Sequence, residues 1–343
     1  MSILDKVMGK FTTNDKITPT LSICMMGPRS VGKTTVMTSI FSEAQDHICE
    51  GCRINLRAMD DNTKKLGDYH TMLVEAVAKK DAANLPASNT VSKFLFGLGL
   101  AGKQPSLTLS VQDFPGEYLT SSFQEKRDEV YQFMADATVI LIAIDTPYLM
   151  ETSSEYDNSK NKIDLVTHYL IENSRVLENK LVLFVPLKCE RYYHDGRINE
   201  VSQKVRNAYH KLISFFEEHE IASFITPILT LGGIEFDHMK DVPSLSVDEP
   251  SKRAIYRSWE KRPKYAPMFC PQPMYYLLTY VVNYYEWQNK QAKGFFDRFI
   301  QSFNSLIKND STFYDEMKKL TRYVMYNKDG FTQLTTNKIL KIN

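Results

Sequence analysis

Gly27-Pro28-Arg29-Ser30-Val31-Gly32-Lys33-Thr34 decides the fold: a glycine, four residues, then glycine, lysine and threonine. That spacing is the pattern of a phosphate-binding loop. Gly27 and Gly32 let the backbone wrap close to a polyanion, so that N–H groups along residues 27–35, as far as Thr35, point at anionic oxygens. Lys33 carries a point charge to the β- and γ-phosphates, and the Thr34 hydroxyl is placed to ligate Mg²⁺. The flanks give the motif its context. Leu21-Ser22-Ile23-Cys24-Met25-Met26 predicts a buried strand entering the loop, and Thr35 to Ala44 predicts a helix whose N-terminus faces the phosphates.

Bulk properties narrow the class. The 343 residues suffice for one large or two modest domains, and the 43% apolar and 24% charged content is ordinary for a globular protein. Forty-two basic residues against 41 acidic ones leave a net charge of +1, which gives no footprint for nucleic-acid binding. Five cysteines do not suggest a disulfide framework. No signal-like segment opens the chain, and no apolar run nears the ~18 residues of a membrane span, so a cytoplasmic protein is expected.

Downstream, strands alternate with helices. Short strands are expected at 53–59, 91–98 and 106–112, and a helix at 61–80. A continuous apolar strand, Thr138 to Asp145, follows a helix near 121–134. After a polar loop at 151–160 come a helix from Ile163, a buried strand Leu181 to Pro186, a long helix Ile198 to His219 and a strand Phe224 to Thr230. The expected fold class is α/β, a mainly parallel, doubly wound P-loop sheet flanked by helices. The expected domains are an arm at 1–18, a nucleotide-binding domain at 19–290 with insertions near 47–90 and 236–273, and a mostly helical extension at 291–343.

A second motif narrows the function. Asp113-Phe114-Pro115-Gly116 ends the strand 106–112, about where an acid can hold the Mg²⁺ hydration shell opposite Thr34. Gly116 is free to bring its N–H to a γ-phosphate and sense its presence. With these motifs, the chain resembles a GTPase of the small Ras-like (TRAFAC) type over about residues 20–235, plus a closing helix near 274–287. Within that group it is similar to bacterial double-GTPase families of predicted conflict and defence operons. The details are Asp113-Phe-Pro-Gly-Glu117, Pro186-Leu-Lys-Cys-Glu190, Thr230-Leu-Gly-Gly233 and Tyr265-Ala-Pro leading to Gln272-Pro273.

The resemblance implies further roles. Thr90, just before the 91–98 strand, takes the place of the switch threonine that coordinates Mg²⁺ only beside a γ-phosphate. Glu117 stands where a water-positioning glutamine is usual, and its carboxylate either orients water or slows hydrolysis by repulsion. Base recognition falls to Lys188 and Glu190, directly after a buried strand. Leu187 replaces the usual asparagine there, and Glu190 is one methylene longer than aspartate. Guanine is favoured, and adenine stays open. The literal match Asn161-Lys162-Ile163-Asp164 reads as a decoy, because it follows a polar run and Ile163 starts a helix.

The expectation is therefore a Mg²⁺-dependent GTP-binding switch (GTP/GDP, ATP as alternative) with slow hydrolysis. The alternatives are an ATP-hydrolysing P-loop enzyme and a non-catalytic scaffold. Its partners would be a guanine nucleotide and a protein, either a second GTPase, a regulator or an effector. Two remaining features read as structural. Cys49-x-x-Cys52 lacks a second pair for a metal site, and Tyr276, Tyr280 and Tyr284 form a packing stripe on one helix face.

Overall fold

The computed structural model describes residues 18–28, 30–45, 48–80, 85, 90–119, 124–241, 252–290 and 298–340. The expected N-terminal arm therefore lies almost wholly outside the described residues, as do Arg29 and the stretches 86–89 and 120–123.

Among the described residues ten strands form in chain order: β1 Thr20–Met26, β2 Ile54–Ala58, β3 Ser92–Leu100, β4 Leu107–Asp113, β5 Val139–Asp145, β6 Leu181–Leu187, β7 Ala222–Ile225, β8 Glu235–Asp241, β9 Lys252–Arg257 and β10 Thr332–Thr335. Eight of them make one sheet in the order β10-β7-β6-β5-β1-β4-β3-β2. The five in the middle, β4-β1-β5-β6-β7, run parallel, while β3 and β2 at one edge and β10 at the other are antiparallel to their neighbours. The sheet is thus mostly parallel, as expected.

Strand side chains alternate, and that alternation builds two cores. Val139, Leu141 and Ala143 of β5 join one cluster, and Ile140, Ile142 and Ile144 join the other. On the first face lie α1 (Lys33–Ala44), the edge helix α2 (Asp61–Ala78) and helices late in the chain. The opposite face is covered by α3 (Gln124–Asp136) and by helices that follow β5. All seven residues of β5 and of β6 are buried. Burying each large aliphatic side chain contributes roughly 1.5–3 kcal/mol, so these two strands anchor everything at their carboxyl ends.

The structure departs from the sequence expectations at definable places. The polar stretch after β5 is helical: α4 (Thr146–Glu151) and α5 (Ser154–Asn161) precede α6 (Ile163–Glu172). Asp145 caps α4 by accepting from the Tyr148 N–H at 3.4 Å, a tertiary and local signal that polarity alone hides. After β6 come α7 (Glu190–His194), α8 (Ile198–Ala208) and α9 (His210–Glu218); the expected long helix is divided at Tyr209. Within the insertion expected near 236–273, β8 and β9 pair antiparallel.

The C-terminal part is not only helical. Beyond α10 (Gln272–Lys290), α11 (Arg298–Asn309) and α12 (Ser311–Leu320), β10 adds an antiparallel edge strand to β7. Tyr276 and Tyr280 of α10 are fully buried, and Tyr276 packs on Phe224 at 4.8 Å between ring centroids, in keeping with a packing stripe.

The turn Thr230-Leu231-Gly232-Gly233 is crossed by residues 264–268. Leu231 accepts from Ala266 N–H, and Leu229 and Met268 exchange backbone bonds. A Cβ on Gly232 would run into the Ala266 carbonyl, and one on Gly233 into that of Lys264. Gly232 also sits at φ +71°, where a side chain is strained. Gly232→Ala should cost about 2–4 kcal/mol, read as a lowered midpoint in urea unfolding; an unchanged midpoint would contradict this packing.

Candidate functional site

The parallel strands deliver their loops to one end of the sheet, where α/β proteins bind ligands. β1 and β4 run in register with Met25 opposite Asp113, so the loop from Gly27 starts beside the Asp113 carboxylate. Gly27, Ser30 and Gly32 have φ of 146°, 63° and 113°. Left-handed residues at these positions bend the chain sharply between β1 and α1. α1 begins at Lys33 with Gly32 as its cap residue, with no side-chain cap and no acidic residue in its first turn. Its orphan N–H donors therefore face the loop with the positive end of the helix dipole behind them.

Lys33 is buried, and its ammonium donates to the carbonyls of Gly27 at 2.9 Å and Pro28 at 3.1 Å. It also stands 3.5 Å from Asp113 Oδ1, an ion pair without hydrogen-bond geometry, so that buried oxygen keeps no hydrogen-bond partner. Burial pushes the Asp113 carboxyl above its ordinary range, and Lys33 opposes the shift. Gly116 opens a short 3₁₀ turn, Gly116–Leu119, directly against the loop. A Cβ on Gly116 would lie 3.0 Å from the Gly27 carbonyl oxygen and 3.1 Å from Pro28 Cα. The loop that starts at Gly27, the acid Asp113 and Gly116 thus lie side by side.

Glu117 is exposed at the rim of that turn. β3 pairs antiparallel with β4, with Ser92 opposite Asp113, so Thr90 lies two residues before the partner of the acid. Thr34 and Thr35 occupy the first turn of α1 and are half-buried.

Lys188 and Glu190 reach the same end of the sheet from β6. Lys188 adopts φ 62°, and its stem approaches the loop, with Cε about 4.0 Å from where a Cβ on Gly32 would be. Its ammonium meets Asp145 Oδ2 at 2.5 Å. Burial alone would pull Lys188 down, but the carboxylate of Asp145 and the nearby Tyr256 together hold it above its ordinary value. Glu190 is buried, and one of its oxygens, Oε1, accepts from Leu231 N–H at 2.7 Å, from Gly232 N–H at 3.3 Å and from the Thr230 hydroxyl at 3.5 Å. Burial raises its carboxyl, against the pull of those amides.

The Asn161-Lys162-Ile163-Asp164 match sits at a helix–helix junction. Lys162 is left-handed at φ 55°, α6 starts at Ile163, and Asp164 exchanges two hydrogen bonds with the Asn158 side chain. Asn161 does something the motif did not predict. Its Oδ1 accepts from Asp145 N–H at 2.7 Å, and its Nδ2 donates to the Asp145 carbonyl and to Asp157 Oδ1. Asn161 therefore pins the end of β5. Asp145 could have been found by the signal that marked Asp113, an acid closing an apolar strand. Tyr265 had no such signal: it bonds Ser39 of α1 at 2.7 Å across 226 residues of sequence.

Cys49 and Cys52 are buried at the ends of a turn, and among the described residues no group of three or more His, Cys, Asp or Glu side chains is arranged to hold a metal. Among the described residues no helix is long and apolar enough to cross a membrane.

No family model matches the chain, and no curated protein matches it. Among solved structures it is similar to the LeoA bacterial dynamin GTPase from ETEC, with 13% identity and a TM-score of 0.35 over 61% of this chain. The match covers 30% of that protein's chain, so this chain spans under a third of its length. At that score the likeness carries no functional argument.

Asp157 offers a check on the polar cluster behind the site. Burial lifts its carboxyl to about 6, reinforced by Asp145 and opposed by Asn161. A folded-state value above the ordinary 3.8 means that folding favours the protonated form. The stabilisation is complete at low pH and is lost as pH rises through about 6. Asp157→Asn keeps the acceptor for Asn161, so it should raise Tm near neutral pH by about 2–4 °C and flatten the pH profile on the acid side. Parallel wild-type and variant profiles would refute the assignment.

Proposed function

We propose that this chain is a Mg²⁺-dependent nucleoside-triphosphate-binding switch that hydrolyses its nucleotide slowly, with GTP the first nucleotide to test and ATP the second. The observation that carries this reading is the junction of the loop 27–34 with Asp113 and Gly116 at the carboxyl ends of β1 and β4.

In this reading the uncapped N–H groups at the start of α1 and the Lys33 ammonium hold the phosphates, with Lys33 already oriented by two loop carbonyls. Gly116 offers its N–H to the γ-phosphate, and its contact with Gly27 and Pro28 links that event to the turn 116–119. Glu117 orients water at the rim. The buried Asp113 Oδ1, which makes no hydrogen bond and stands 3.5 Å from the Lys33 ammonium, fits a place beside a hydrated cation, and Thr34, Thr90 and Asp113 are the residues that would hold Mg²⁺. When bound, that ion supplies positive charge to the β- and γ-phosphate oxygens. Loss of the γ-phosphate would release the 3₁₀ turn and the segment around Thr90, and a protein partner would read that change. A role in bacterial conflict or defence signalling rests on the family resemblance alone.

Lys33→Ala should weaken nucleotide binding by more than about 100-fold, measured by equilibrium titration. Asp113→Asn should retain nucleotide but lose most of its dependence on added Mg²⁺. Nucleotide affinity unchanged in Lys33→Ala would refute the proposal.

A further inference from the structure

The end of the site that faces the base is bonded to itself. Glu190 Oε1 already takes the N–H groups of Leu231 and Gly232 and the Thr230 hydroxyl. The turn 230–233 cannot swing away, because residues 264–266 cross it at backbone contact and Tyr265 ties that crossing to Ser39 of α1. Lys188 is held by Asp145 at 2.5 Å, with the half-buried Tyr256 of β9 against it. The hairpin that carries Tyr256 is itself fixed to α7. Arg191 donates to the Asp237 carbonyl at 2.5 Å, and Glu235 takes both His194 and Arg257 at 3.1 Å.

Hydrogen-bond readout gives strong selection only where donors and acceptors wait unpaired for the right ligand; such sites reject a wrong one by about 10⁴–10⁵. Here a guanine edge that engaged both carboxylate oxygens would have to strip Oε1 from two amides and leave those amides orphaned, so the exchange gains little. The phosphate end is different in kind. The first turn of α1 has no side-chain cap, and Asp113 Oδ1 has no hydrogen-bond partner.

We propose that this site selects the triphosphate and not the base, so that purine and pyrimidine nucleoside triphosphates bind with comparable affinity. The inference rests on the triphosphate-binding reading above. Glu190 is then a positioning residue that holds the turn, and Lys188 lends its stem to one wall.

The test is displacement of a ribose-labelled fluorescent GTP analogue, with Mg²⁺, from the full chain and from Lys33→Ala. The competitors are GTP, ITP, ATP, CTP and inorganic tripolyphosphate. The expected result is four nucleotide affinities within about tenfold of one another, all lost together in Lys33→Ala, with tripolyphosphate also competing. Preference for GTP over ATP and CTP by more than about 10³-fold, with ITP between them, would overturn base indifference and leave the triphosphate reading standing. Failure of every nucleotide to bind, or binding indifferent to Lys33, would overturn both. Glu190→Gln should lower Tm and leave the GTP-to-ATP ratio within about twofold; a shift above about tenfold would assign Glu190 to the base after all.

Discussion

The site depends on the close approach of three backbone segments where the parallel strands end. A Cβ on Gly27 would lie 2.9 Å from the Ala143 carbonyl of β5, and one on Gly116 3.0 Å from the Gly27 carbonyl. One on Gly32 would touch Leu187 at the end of β6. The phosphate loop is therefore wedged among the ends of β4, β5 and β6. At Gly27 and Gly116 a Cβ would press on backbone, and at Gly32 the φ of 113° disfavours any side chain. This packing orients the Lys33 ammonium and leaves the first N–H groups of α1 facing outward. It also turns the 116–119 turn into a neighbour of the loop.

Asp113, Asp145 and Glu190 are buried at that end of the sheet, and each is accommodated by different means. Asp113 faces Lys33 and keeps one oxygen without a hydrogen bond. Asp145 pairs with Lys188, caps α4 and is framed by Asn161. Glu190 is satisfied by backbone amides and a hydroxyl. Burying a charge is costly unless it is paired or hydrogen-bonded, so these pairings decide which groups are spent on structure. Asp145 and Glu190 are spent; Asp113 keeps capacity for a ligand. That contrast separates the internally bonded Glu190 end of the sheet from the Asp113 end.

Much of the architecture was legible because its causes are local. The run Val139–Asp145 could only be a strand buried on both faces, and the loop Gly27–Thr34 could only turn between a strand and a helix. The strands expected at 91–98 and 106–112 form as β3 and β4, and they pair antiparallel. Other features were hidden because their causes are distant. The helix α5 reads as polar loop, yet Asn161 is buried by its bonds to Asp145. Strand β10 joins β7 across more than a hundred residues, and no pattern in Thr332–Thr335 names its partner. The two glycines of the 230–233 turn looked like turn formers, whereas they are required because the 264–266 backbone lies on them.

By itself the sequence marked the Gly27–Thr34 loop, Asp113 and Gly116, and the alternation that yields a mostly parallel sheet. Those features are set by spacing and by which side chains leave water. Only the tertiary structure decided that Lys188 meets Asp145 and that Glu190 meets Leu231, because each pair joins residues about 40 apart in sequence. A motif fixes which groups a chain can offer. The fold then determines which of them are already bonded to one another.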